Sequence, residues 1–165
     1  MVGVSDKEAM AMMFFYAGIY FFLAFLMEKK QWKGIVYSIL AGFSVGTVWA
    51  MWGGVVFLST SMGLFLLVLV LLGKLSEKYL RYYALFLLSI VVFLAVFFPL
   101  RVSDPLGLLT APTSAILFFP FFLALFHEYL YTKNVLGVKK YYEKVPVMPL
   151  FLSFSFILSL GVVLL

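Results

Sequence analysis

Long apolar runs separated by short polar clusters organise this chain, and the breaks say more than the runs. The runs predict helices at approximately 9–27, 35–51, 55–72, 82–100, 108–128 and 146–165, each near the length of about 20 residues that crosses a hydrocarbon core of about 30 Å. From Gly34 to Gly73 the chain carries no charge for 40 residues, too long for one crossing and right for two. Trp49 and Trp52 stand beside Gly53 and Gly54, and an aromatic belt next to a Gly-Gly breaker marks a tight hairpin. A break at Ser59 to Gly63 instead would leave a following helix too short to cross. The first run follows a polar start with Asp6, Lys7 and Glu8. It lacks the basic front and cleavage pattern of a signal peptide, so a retained first helix is expected.

Within the second helix, Gly34, Ser38, Gly42, Gly46 and Ala50 place a small residue at every fourth position. Such rows let membrane helices approach closely, because lipid is as apolar as leucine and close packing drives association. Each four-residue step drifts about 40° around a helix of 3.6 residues per turn. The row therefore winds, and the expectation is two neighbours, one crossing near Gly34 and Ser38 and another near Gly46 and Ala50. On this reading the second helix lies inside the bundle, and Gly54 belongs to the hairpin.

Composition fixes the class. The chain is 65% hydrophobic, 20% aromatic and 12% charged, whereas soluble domains carry about 25% charged residues. The expected fold is an all-α polytopic membrane protein, one membrane domain over residues 1–165, built as a six-helix bundle. Its central second helix is rich in small residues and its fifth is kinked by proline. One Asn, one Gln and no Cys lean toward a thermophilic source, a lean that eight Met weaken. Without cysteine there is no disulfide, thiolate metal site or cysteine nucleophile.

The net charge of +5 acquires meaning only once the charges are placed. With six spans, Lys29, Lys30, Lys33, Lys74, Lys78, Arg81, Lys133, Lys139, Lys140 and Lys144 share one side, and Lys7 and Arg101 the other. Ten basic residues against two predict a cytoplasmic basic side and external termini in a plasma membrane. The expected partners are the bilayer, anionic headgroups on the cytoplasmic side, and other membrane subunits. Nucleic acid is not implied.

Candidate chemistry is sparse. No predicted span has an ionisable residue near its centre, which argues against a proton-driven pump acting alone. In the fifth helix, Pro120 has no N–H to donate to the Ile116 carbonyl and so frees an acceptor. Thr110, Thr113 and Ser114, near Pro112, are the nearby hydroxyls. His127 and Glu128 form the only adjacent pair with acid–base potential, but position 131 is Tyr, so no H-E-x-x-H metal motif exists. Arg101 and Asp104 follow the fourth helix as an external ion pair or loop cap. Ligand-binding candidates are therefore Pro120, Thr113, Ser114, His127, Glu128, Arg101 and Asp104, with no catalytic residue, metal or cofactor expected. Nucleophile elbows, phosphate-binding Gly loops and paired-acid clusters are missing.

Three function classes follow in this order: a small transport or permeation protein for a neutral or lipid-like solute, a non-catalytic subunit of a larger membrane complex, and a membrane-embedded enzyme using His127 and Glu128.

Overall fold

The computed structural model describes residues 3–72, 74, 76–103, 112–128, 155, 158, 159 and 161, with side chains from Lys7 onward except at 71, 101, 102, 112, 113 and 127. Among them the chain is all-helical. The long helices are α1 (Gly3–Met27), α2 (Gln31–Met51), α3 (Val55–Leu71), α4 (Glu77–Phe97) and α5 (Pro112–His127), with a single helical turn at Pro99–Val102. Three are long and apolar enough to cross a membrane, over Lys7–Met27, Gln31–Met51 and Glu77–Phe97, while α3 and α5 are shorter apolar helices. The predicted sixth helix lies outside the described residues except at four positions, so the described part shows five long helices and not six.

The helix ends differ from the hydropathy pattern for local reasons. α2 begins at Gln31, taking in the polar Gln31, Trp32 and Lys33, because a helix continues past the apolar part that hydropathy detects. α4 begins at Glu77 and stops at Phe97, where the pattern ran 82–100. Phe98 is driven out of helical geometry (φ −139°, ψ 59°) by the proline that follows it. Pro99 then opens its own turn, as suits a residue whose missing N–H is not needed in a first turn. α5 is described from Pro112 onward, and the expected start near 108 lies outside the described residues. Pro120 lies inside α5 without breaking it.

The hairpin between α2 and α3 turns at Trp52 to Gly54. Gly54 has φ −64°, a value open to any residue. What requires glycine there is the Trp52 ring, which occupies the space of a Cβ.

α2 packs chiefly against α1 on one side and α4 on another, and α3 packs against α5. The small-residue row meets α4 throughout. A Cβ on Gly34 would strike the Tyr82 ring, one on Gly42 would lie 2.5 Å from Ser89 Cβ and 2.6 Å from the Phe86 carbonyl oxygen, and one on Gly46 would lie 2.8 Å from Phe93 Cδ1. Residue numbers rise together along both helices, so α2 and α4 run in the same direction. The expectation of two neighbours crossing the row at separate points is thus corrected, because one helix follows it from Gly34 to Gly46. A row of every fourth residue is a ridge inclined about −26° to the helix axis, and a partner crossing obliquely along that ridge needs no second helix to complete it. Ala50 is half-buried at the end of the row.

The core joining these helices is largely aromatic. Phe22 of α1 contacts the rings of Phe25, Phe65, Tyr83 and Phe86 at centroid separations of 4.9–6.2 Å. Tyr83 also stacks on Phe121 of α5 at 6.1 Å. Rings from α1, α3, α4 and α5 therefore meet in one packed cluster.

Candidate functional site

Two polar features stand out, one inside the bundle and one at its end. The inner one surrounds Pro120. The Ile116 carbonyl, which Pro120 cannot supply with a donor, points at Gly63 of α3 so closely that a Cβ there would collide with it. The lack of a side chain at Gly63 lets the α3 backbone approach this carbonyl, the close packing in which weak Cα–H···O contacts recur between helices. One residue on, the Leu117 carbonyl accepts a hydrogen bond of 3.2 Å from the hydroxyl of fully buried Tyr83. Carbonyls disturbed by a proline are thus met by α3 and α4, which is how membrane proteins tolerate proline within a span.

Other buried hydroxyls mostly turn back on their own helices. Ser38 donates to Gly34 O at 2.7 Å, Ser44 to Leu40 O at 2.8 Å and Ser89 to Leu85 O at 2.7 Å. Ser59 is the exception on α3: it is fully buried, one turn before Gly63, and its hydroxyl has no hydrogen-bond partner. Sequence reasoning passed it over because a lone serine carries no signal until its neighbours are known.

Among the predicted site residues, Pro120 and Ser114 are both buried in α5, and Glu128 is half-buried directly after it. The side chains of Thr113, His127 and Arg101 and the whole of Asp104 lie outside the described residues. Among the described residues, small-residue-rich α2 packs chiefly on α1 and α4, while proline-containing α5 packs mainly on α3. Among the described residues no group of His, Cys, Asp or Glu could hold a metal ion.

The second feature is a polar cleft of about 370 Å³ where the α1–α2 connection meets the start of α4, lined by Lys29, Gln31, Glu77, Lys78, Arg81 and Tyr82. Local packing builds it. Because Gly34 has no side chain, the Tyr82 ring lies against α2, and its hydroxyl approaches the Gln31 carbonyl at 3.4 Å. Lys78 Nζ donates to the Glu28 carbonyl oxygen at 2.5 Å and sits 5.6 Å from the Tyr82 ring centroid, tying α4 to the connection. Arg81 pairs with Glu77 at 2.7 Å in an exposed bridge one helical turn long. Glu28 Oε1 accepts the backbone N–H groups of Lys29 and Lys30 at 2.9 Å each. The Lys30 bond is the largest influence holding its carboxyl below the ordinary range, and the Lys33 and Lys30 charges add to it. Behind Tyr82 stands Phe25, at 6.2 Å between ring centroids, so the aromatic cluster backs the cleft.

A third, apolar feature is a groove of about 210 Å³ on the side of the bundle between α1 and α3, lined by Ile19, Phe22, Leu23, Leu58, Ser61, Met62 and Phe65. Its one hydroxyl, Ser61, is bonded to Phe57 O at 2.8 Å.

No protein-family model matches the chain, and neither a curated protein nor a solved structure matches it.

Proposed function

We propose that the chain is a six-span plasma-membrane protein, basic side cytoplasmic and termini external, acting as a non-catalytic subunit that packs on another membrane protein through α1. One observation carries this reading: the phenols of Tyr16 and Tyr20 stand outward, each 63% exposed, at the middle of an apolar span. Tyr16 is nine residues from Lys7 and eleven from Met27, the limits of that span, or about 14 Å and about 16 Å along the axis. Its side chain covers only part of either distance. Hydrocarbon offers no acceptor to a hydroxyl at that depth, and tyrosines that meet lipid normally sit at the headgroups. A protein surface over α1 supplies the acceptor that lipid does not. The peripheral position of α1 fits, since 22% of its apolar window is buried against 44% for α2 and 39% for α4. Around these tyrosines stand exposed Met12, Met13 and Leu23, and methionines adapt well to a partner's surface.

Gentle extraction followed by native mass measurement tests the proposal. The expected result is a species heavier than one chain that Tyr16→Leu reduces. A wild-type protein recovered only as a lipid-embedded monomer would overturn it.

A second reading, handling of a lipid-like solute, draws on the apolar α1–α3 groove, which opens sideways and not along an aqueous path. Enhanced exchange of a fluorescent neutral lipid by reconstituted protein, abolished by Leu58→Trp in the groove, would favour it over the subunit role.

A further inference from the structure

We infer that the polar cleft between the α1–α2 connection and the start of α4 is a discrete site for the phosphate of an anionic lipid headgroup. The inference rests on the membrane placement proposed above, and neither on the partner of α1 nor on any solute.

Among the described residues the cleft presents three cations, Lys29, Lys78 and Arg81, and one acid, Glu77. Glu77 already faces Arg81, so the balance of charge in the cleft is positive. Its cations keep donors to spare. Lys78 uses one N–H on the Glu28 carbonyl of the three an ammonium carries, and Arg81 uses one bridge to Glu77 of the five donors on a guanidinium. Arg81 is the group whose planar fork suits a phosphate, and Lys29 and Lys78 act as point charges beside it.

Position selects a lipid over a soluble anion. The cleft sits where α1 ends at Met27 and where α2 and α4 begin at Gln31 and Glu77, the level at which these apolar spans leave the hydrocarbon. One residue beyond Gln31, Trp32 is 63% exposed, with Lys33 Nζ 5.8 Å from its ring centroid, an arrangement suited to the headgroup layer. Two residues before Lys29, Met27 at the end of α1 is 81% exposed, apolar surface against which an acyl chain can run. The aromatic cluster behind Tyr82 backs the site.

The test uses the full chain reconstituted in phosphatidylcholine nanodiscs with phosphatidylglycerol titrated in, then released for native mass measurement. Wild type should retain one phosphatidylglycerol per chain. Lys29→Gln combined with Arg81→Gln should weaken that adduct at least about tenfold, since charge-assisted bonds are the strong ones. Lys33→Gln combined with Lys74→Gln removes the same charge from outside the cleft and should leave the adduct in place. Neither pair removes a buried side chain, and circular dichroism confirms the fold of each. Equal loss in both double variants, retention in both, or no adduct in wild type would overturn the site. Displacement of the lipid by millimolar inorganic phosphate would overturn the assignment to a lipid in favour of a free anion. A reversed topology in accessibility labelling, with the adduct pattern intact, would remove the cytoplasmic assignment and leave the site standing.

Discussion

Replacing Gly42 by Ala adds one methyl at the close approach of α2 and α4. That carbon would stand 2.5 Å from Ser89 Cβ and 2.6 Å from the Phe86 carbonyl oxygen, where packed carbon atoms ordinarily keep about 3.5–4.0 Å. The Phe86 oxygen belongs to the α4 backbone, so no side-chain rotation relieves the contact, and the helices must part locally by about 1 Å. A gap of that size forfeits roughly a quarter to a half of the attraction between facing atoms, and overpacking of this kind costs about 1–3 kcal/mol. Alanine's preference over glycine within a helix returns up to about 1 kcal/mol. The net expectation is a loss of about 1–2 kcal/mol, with Gly42→Leu well beyond it. Gly46→Ala meets only the Phe93 side chain and should cost less. The assay is unfolding in mixed micelles of rising SDS fraction, followed by tryptophan fluorescence, with native mass recorded in parallel. A Gly42→Ala protein as stable as wild type, or one that changes association while its unfolding midpoint stays put, would refute this account of the row.

Four further outcomes are expected. Gly53→Ala should stay within about 0.5 kcal/mol of wild type because nothing lies within 4 Å of its would-be Cβ, whereas Gly54→Ala should destabilise against the Trp52 ring; SDS midpoints of the two decide. Tyr83→Phe removes the donor to Leu117 O and should cost about 1 kcal/mol in the same titration. Ser59→Ala removes a buried hydroxyl that has no partner and should stabilise by up to about 1 kcal/mol; a marked loss would show that the hydroxyl is in use. Glu28 is an acid whose folded-state pKa is depressed, so its contribution is complete above the ordinary value of 4.5 and is lost as pH falls below it through the folded value. Glu28→Gln should therefore flatten the acid limb of stability against pH and leave no extra pH dependence near neutrality.

The helices were readable because charge-free runs of crossing length leave few alternatives, and the turn at Trp52 to Gly54 because glycine and tryptophan both mark it. The packing geometry was harder. The row from Gly34 to Gly46 announced a close approach, but treating its partner as axis-parallel produced two neighbours where oblique crossing needs only α4. A proline is legible as a breaker, yet whether it ends a helix or begins one depends on the flanking backbone, and Pro99 both closes α4 and opens the next helical turn. Ile116 could be named as the freed acceptor from Pro120 alone, while Gly63 and Tyr83 could not be named as its surroundings, since nothing in the sequence pairs α3 or α4 with α5. The outward face of α1 was equally hidden, because a helix apolar all round has no hydropathy pattern to separate lipid-facing from interior residues. The cleft was half visible, as a basic cluster near Lys29 and another near Lys78; only the parallel packing of α2 on α4 brings the two together.

The most direct measurement of the central claim is photo-crosslinking from the mid-span face of α1 in native membranes. A Tyr16→Cys variant carries the sole cysteine of the chain, so a benzophenone maleimide attached there reports only on that face. The account predicts a discrete protein adduct on illumination, weakened when Tyr20 is also replaced by Leu. Adducts to lipid alone would contradict it.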